Sequence, residues 1–171
     1  MTEAVTELAE PKKSTPGFAG VPTLIARLIV GGIFVKYGLS KIGDPHLFLK
    51  SIESYKILPL DPPTLINSIG VILPWIEIVI GVLLILGLAR RGGATISFVM
   101  LIFFTAAIAN LGYDYHLKNP NIALTAIKLD CGCGGGPVNV ALKLLTNSGL
   151  ILLSAFLMRS SSHRFTFKPG G

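Results

Sequence analysis

The chain has 171 residues, of which 51% are hydrophobic and only 14% are charged, and its formal net charge is +6. With a mean hydropathy of +0.67, this composition excludes an ordinary soluble globular domain. No basic stripe interleaved with aromatic residues occurs, so the positive charge does not indicate a nucleic-acid-binding protein. The composition predicts a protein that resides in the lipid bilayer.

Residues 1–20 form a polar N-terminal tail that contains three glutamates and is interrupted by Pro11 and Pro16. This composition predicts a disordered segment. A cleaved signal peptide is the competing interpretation of the apolar run that follows. It is disfavoured because about twenty residues precede that run, no small-residue cleavage site follows it, and further apolar runs come later.

Four apolar runs have the length of membrane-spanning helices, since a helix needs about 20 residues to cross a bilayer core of roughly 30 Å. Charged residues interrupt the first run at Arg27 and Lys36, and the fourth contains Lys143 and Asn147. Such side chains are tolerated where they can reach the interface. We expect an all-α integral membrane four-helix bundle formed by residues 21–158, with spans at about 21–43, 65–89, 93–113 and 138–158.

The loop after the first span carries the signals of a short helix. Asp44 is a candidate N-cap and Pro45 follows at the first helical position. Pro59 ends the pattern. A short amphipathic helix on the outer membrane surface is predicted, and a plain packed loop is the alternative. The apolar residues that fall near one face are Leu47, Phe48, Ile52 and Tyr55.

Basic residues indicate the orientation of the spans. The two tails and the short loop between the second and third spans would lie on the same side of the membrane. They carry more basic residues than the two longer loops on the other side, so their side is expected to be cytoplasmic. The prediction is a multi-pass protein of the bacterial inner (cell) membrane, with both termini in the cytoplasm and residues 159–171 as a basic cytoplasmic tail. The residues that carry this bias are Lys12, Lys13, Arg90, Arg91, Arg159, Arg164 and Lys168.

The only two cysteines lie in "KLDCGCGGGPVN", in the second outer loop. In a bacterial cell the outer side is oxidising, so Cys131 and Cys133 are expected to exchange between dithiol and disulfide. A disulfide between residues so close in sequence is tight, and Gly132 supplies the permissive backbone that it needs. Strained and exposed disulfides are the labile or catalytic ones. The pair is therefore the candidate catalytic site.

Other interpretations of the two cysteines remain open. The thiols could be lipidated, or incidental in a glycine-rich turn. A metal site is disfavoured because zinc sites use wider cysteine spacing and two further ligands, and only His46 and His116 lie on the same predicted side. No metal is therefore predicted.

A second candidate site lies in "PWIE" within the second span. An ionised Glu77 is costly there unless it is paired or hydrated. With a rise of about 1.5 Å per residue, an antiparallel first helix places Arg27 and Lys36 each within about 8 Å of its level. An ion pair between helices is the structural interpretation. The functional one is a proton relay or a contact with a quinone ring, for which Trp75 offers a stacking surface.

These residues resemble the DoxX and MauE group of small four-helix membrane proteins over about residues 27–136. The resemblance is carried by "RLIVGGIFVKYGLSKIGDP", "SYKILP", "LPWIEIVIGVLLILG" and "CGCGGG". It is most specific in the pattern of Arg27, Gly38 and Lys41, in the cluster of Pro74, Trp75 and Glu77, and in the cysteine pair.

The resemblance implies a bundle similar to the quinone-linked thiol oxidase of vitamin K metabolism. MauE is associated with maturation of a disulfide-rich methylamine dehydrogenase subunit, and DoxD-type relatives with thiosulfate oxidation coupled to quinone. For this chain it implies thiol–disulfide redox, or maturation of an extracytoplasmic partner, through Cys131 and Cys133. The candidate quinone contacts are Glu77, Arg27, Lys41 and Trp75.

Two departures from the family pattern bear on this function. Gly134 stands where the MauE motif has an aromatic residue, and the chain has one cysteine pair, so a partner must bring the other thiols. The alternative function is a non-catalytic integral membrane subunit of a larger respiratory or photosynthetic complex. A transporter is disfavoured because the sequence shows neither inverted repeats nor broken helices.

Overall fold

The computed structural model describes residues 20–55, 63–88, 90–129 and 136–160. It is mostly helical, and the prediction of an all-α membrane bundle is confirmed. Four of its helices are long and apolar enough to cross a membrane. In chain order the elements are α1 (Gly20–Gly43), α2 (Pro45–Ser54), α3 (Pro63–Leu86), α4 (Arg90–Lys118), a single 3-10 turn (Leu124–Ala126), β1 (Lys128–Leu129), β2 (Val138–Asn139) and α5 (Val140–Arg159).

Helix α4 differs most from its predicted bounds, because it continues five residues beyond Tyr113. The added turn carries a salt bridge of 2.8 Å between Lys118 Nζ and Asp114 Oδ2. The Asn119 backbone N–H then donates to the carbonyls of Tyr115 and His116. Polar residues that mark the end of an apolar run thus continue the same helix out of the apolar zone.

The bundle consists of two tight antiparallel helix pairs. Helix α1 packs most extensively against α3, and α4 packs most extensively against α5. A Cβ added at Gly31 would lie 2.7 Å from the Gly81 carbonyl oxygen, and one added at Gly81 would lie 2.6 Å from the Gly31 carbonyl oxygen. Small residues allow such close backbone approach between membrane helices. The glycines therefore set the spacing of the α1/α3 pair.

Buried apolar side chains form three separate clusters. The core cluster lies between the two helix pairs, the α2 cluster lies between α2 and the first turns of α3, and the hairpin cluster lies beneath β1 and β2. The core cluster contains Ala26, Val30, Phe34, Ile80, Leu84, Ala94, Leu101, Leu150 and Leu157. The hairpin cluster contains Tyr55, Ala107, Ile108, Ile127 and Val140, and the α2 cluster contains Phe48, Ile52 and Ile66.

Helix α2 begins as its sequence predicts. The Asp44 side chain accepts a hydrogen bond of 3.1 Å from the Leu47 backbone N–H, and Pro45 occupies the first helical turn. Phe48, Ile52 and Tyr55 are buried, whereas Leu47 is exposed. The predicted amphipathic helix is confirmed. Its apolar face covers the start of α3.

A short antiparallel strand pair between α4 and α5 was not predicted. Leu129 pairs with Val138, and the Val140 backbone N–H donates to the Ile127 carbonyl oxygen over 3.0 Å. The Asn139 side chain caps α5 by accepting from the Leu142 backbone N–H over 3.2 Å. The strand pair thus fixes the chain on both sides of the segment that contains the cysteines. We call the end of the bundle at which β1 and β2 lie the hairpin end.

Several predictions concern residues outside the described part of the chain. Cys131 and Cys133 lie in the segment 130–135, which the structure does not describe. The same holds for residues 1–19 and 161–171, which comprise most of the two predicted tails. The disordered and basic tails, and the disulfide, therefore stay predictions.

The close approach of α1 and α3 predicts that neighbouring glycines respond differently to substitution. Gly31→Ala places a methyl group against a backbone oxygen that cannot yield easily, and we expect a cost of about 1–3 kcal/mol. Gly32→Ala is the matched control, because a Cβ there meets no atom within 4 Å. Thermal unfolding in detergent, followed by helical circular dichroism, measures the difference. Equal midpoints for the two variants would contradict this packing.

Candidate functional site

A buried ion pair connects α1 to α3. The Lys41 side-chain Nζ donates to Glu77 Oε1, and the two residues are 4% and 2% exposed. The same ammonium lies 4.8 Å from the ring centroid of Phe48 and 4.4 Å from that of Phe104. A carboxylate and two aromatic faces thus compensate a cation that has left water.

The partner of Glu77 is Lys41, whereas the sequence placed Arg27 and Lys36 nearest to its level. Lys36 is exposed, and Arg27 donates to the carbonyl oxygens of Leu84 and Ile85 at the C-terminal end of α3. The predicted level is wrong for Arg27, which meets α3 about two turns beyond Glu77. For Lys36 the predicted face is wrong, because a side chain must lie on the face of α1 that meets α3. Positions 27, 31, 34, 38 and 41 share the buried face of α1, and position 36 does not.

Arg27 stabilises the end of α3. Its Nε donates to the Leu84 carbonyl oxygen over 2.8 Å and its NH2 group to the Ile85 carbonyl oxygen over 2.9 Å. Gly87 follows with a φ of 76° and closes the helix, and a Cβ there would meet the guanidinium at 2.2 Å. A cation at a helix C-terminus satisfies carbonyls that lack intrahelical donors. At about 1.5 Å per residue, Arg27 lies roughly 21 Å along α1 from Lys41.

The second oxygen of Glu77 has a different environment from the first. Oε2 is buried, and it has no hydrogen-bond partner among the residues that the structure describes. Buried polar atoms in native proteins nearly always have a partner, which can be ordered water or a ligand. This oxygen is therefore the unusual feature of the site.

Glu77 lines a small cavity of about 30 Å³, which we call the chamber. It lies between the two helix pairs, and α2 contributes Phe48 to its wall. Its walls are mainly apolar and aromatic, with a few polar groups. The lining residues are Ile33, Phe34, Tyr37, Lys41, Phe48, Tyr55, Glu77, Leu101, Phe104, Lys143 and Asn147.

Helix α5 contributes two polar residues to the chamber. In the sequence they were interpreted only as polar interruptions of the fourth span. Lys143 Nζ lies 3.9 Å from the ring centroid of Tyr37, and Asn147 is 3% exposed. Their spacing of four residues places them on one helix face. That face is the buried one, since Val140, Leu150 and Ser154 also lie on it. The spacing of Lys143 and Asn147, which puts them on the same face as the buried apolar residues of α5, was the sequence signal that could have identified them as site residues.

Trp75 lies on another surface. It is 58% exposed on the outside of the bundle, where it lines a groove of about 120 Å³ together with Lys41, Pro74 and Leu49. Lys41 lines both the groove and the chamber. The structure therefore brings together Lys41 and Glu77, places Trp75 beside them on the outer face, and separates Arg27 from all three.

The chemistry of the chamber suits an oxygen-bearing polar group. The ammonium groups of Lys41 and Lys143 and the amide of Asn147 can donate hydrogen bonds, and Glu77 Oε2 can accept one. Among the described residues, no three His, Cys, Asp or Glu side chains lie together as metal ligands. Apolar walls around a few placed polar groups are typical of small-molecule sites.

The buried pair predicts strongly non-additive effects on stability. Lys41→Met leaves a carboxylate without its cation, and we expect a loss of about 3–5 kcal/mol. The double variant Lys41→Met/Glu77→Leu should recover much of this loss. Lys118→Met is the control, because the side chains of Lys118 and Asp114 are 60% and 39% exposed and surface pairs contribute at most about 1 kcal/mol. Unfolding midpoints in detergent test this, and additive losses would contradict it.

Comparison with known proteins identifies the family of the chain. No curated protein and no solved structure matches it. The family model described as "Methylamine utilisation protein MauE" matches residues 20–160. This range includes the four spanning helices, the ion pair, the chamber and the two cysteines. The match covers most of the sequence, and the chain belongs to the MauE family.

Proposed function

We propose that this MauE-family membrane protein exchanges disulfides with an extracytoplasmic partner protein through Cys131 and Cys133, and that a quinone accepts the electrons. The observation that carries the proposal is the position of the chamber relative to β1 and β2, the strands that flank the cysteine segment in the sequence. Leu129 and Val138 flank this segment and pack against the hairpin cluster. Tyr55 belongs to the same cluster and also lines the chamber.

The hairpin end is proposed to face the outside of the cell. Helices α1 and α4 end there, and α3 and α5 begin there. Arg91 and Arg159 lie at the opposite end, which is the cytoplasmic side under the positive-inside rule. This orientation would put the cysteine pair on the side of an oxidising compartment, where a thiol pair can serve secreted proteins.

The exchange step balances with one cysteine pair in this chain. Two thiols of the partner protein are oxidised to a disulfide, and the Cys131–Cys133 disulfide is reduced to two thiols by thiolate attack through a mixed disulfide. Reoxidation of the pair then releases two electrons and two protons. Because the chain has no further cysteines, the partner supplies the other thiols.

The residues around Lys41 fit a quinone headgroup. A quinone, when bound, accepts two electrons and two protons. Lys41 would donate a hydrogen bond to a carbonyl oxygen, and Trp75 would provide a flat apolar face in the groove, which is reached from the bilayer. Glu77 would contact Lys41 from the side of the chamber and not from the groove. Arg27 lines neither the groove nor the chamber, so its proposed contribution is to hold α3 in position.

Thiol trapping in membranes tests the proposal. A membrane-impermeant maleimide should label the reduced protein from the outside, and prior addition of a quinone should abolish labelling because the pair is then a disulfide. The variant Cys131→Ser/Cys133→Ser gives the background. Arg27→Lys should lower stability yet retain the quinone response.

Three results would contradict parts of the proposal. Thiols that never become labelled, or that never respond to quinone, would indicate a non-catalytic subunit of a larger membrane complex. Labelling only from the cytoplasmic side would reverse the orientation. Loss of the quinone response in a folded Arg27→Lys variant would restore Arg27 as a quinone contact.

A further inference from the structure

We infer that the chamber is a hydrated proton-exchange site, in which Glu77 Oε2 accepts and releases a proton with water positioned by Asn147 and Lys143. The inference deepens the proposed function and rests on it for the use of these protons. It assigns roles to two residues of α5 that neither the cysteine motif nor the family match singles out. It also distinguishes Glu77 from a purely structural ion-pair partner.

The first argument is the unequal bonding of the two carboxylate oxygens. Lys41 binds Oε1, whereas Oε2 is buried without a partner in the described part of the chain. A buried acceptor left unsatisfied costs about 1–3 kcal/mol. Native structures avoid this cost with ordered water when the site is polar and large enough. Glu77 lines such a site.

The second argument is the size and lining of the chamber. Its volume of about 30 Å³ exceeds the roughly 10–15 Å³ that a water molecule needs. A buried water also needs two to four polar partners. Glu77, Lys143 and Asn147 provide them from facing helices. Water can therefore occupy the chamber and exchange protons with Oε2.

The third argument is the set of charges around Glu77. Nearby ammonium groups favour a carboxylate, and burial favours the protonated acid. These opposed influences suit a group that takes up a proton and passes it on. Helix α4 contributes Leu101 and Phe104, neither of which titrates. The titratable groups that face the chamber are Lys41 and Tyr37 on α1, Tyr55 after α2, and Lys143 on α5.

The fourth argument is the direction in which protons can arrive. Tyr55 lines the chamber and also belongs to the hairpin cluster, which lies beneath β1 and β2. Oxidation of the two thiols releases two protons at that end. Glu77 Oε2 would receive these protons one at a time and release them to water in the chamber.

Infrared spectroscopy of the protein in lipid vesicles tests the inference. The experiment uses the variant Cys131→Ser/Cys133→Ser, so that thiol chemistry does not contribute. Acidification should produce a carboxylic-acid C=O band that shifts when H₂O is replaced by D₂O. Glu77→Gln should remove this band. If that variant does not fold, Glu77→Asp identifies the band by changing its frequency.

Asn147→Leu provides the decisive variant, because it removes a water partner and leaves the ion pair intact. We expect proton–deuterium exchange at the Glu77 band to slow by about tenfold, as expected for the loss of one hydrogen bond. Thr146→Leu is the matched control, since Thr146 is the preceding residue of α5 and is exposed. Exchange in this control should equal that of the parent.

Two results would overturn the inference. One is a Glu77 group that neither titrates nor exchanges in the parent variant. The other is exchange in Asn147→Leu that is as fast as in Thr146→Leu. Because no cysteine is present, these results are independent of the thiol-trapping experiment. Normal exchange together with failed thiol trapping would reject the proposed function and retain the proton-exchange site.

Discussion

The buried ion pair between Lys41 and Glu77 is the interaction on which the arrangement of this bundle depends. It connects α1 to α3 at the depth where Phe48 of α2 and Phe104 of α4 meet the ammonium group. Desolvation of two charges offsets much of their attraction, so such a pair adds little net stability. A buried pair of this kind can instead specify how two helices meet. Together with the contact between Gly31 and Gly81, it permits one register of α1 against α3.

The chamber lies where the three apolar clusters meet. Phe34 belongs to the core cluster, Phe48 to the α2 cluster and Tyr55 to the hairpin cluster, and all three line the chamber. Each cluster packs its own part of the bundle, and the space between them has mainly apolar walls that also hold a few polar groups. Apolar packing therefore positions the polar groups and limits their contact with lipid, which explains how two lysines and a glutamate are accommodated at this depth.

The sequence predicted those features that depend on local signals. Run length predicted the spans, and Asp44 with Pro45 predicted the start of α2. The partner of Glu77 was predicted from an assumed level of α1 against α3, and that level was wrong. Arg27 lies at the level of Leu84 and Ile85, which explains why Lys41 was not chosen. The position of Lys143 and Asn147 in the chamber becomes apparent only when α5 is placed against α1. Each strand of the pair has only two residues. Their pairing depends on tertiary contacts with α5, which a local sequence pattern cannot predict.

The division into two helix pairs has a consequence for the order in which the protein enters the membrane. Lys41 and Glu77 lie on the first two spans, and these spans form one helical hairpin. Synthesis proceeds from the N-terminus, so this hairpin can neutralise its own charges before α4 and α5 exist. Lys143 and Asn147 arrive only with the last span. The last two spans, α4 and α5, thus insert beside a helix pair in which Lys41 and Glu77 are already paired.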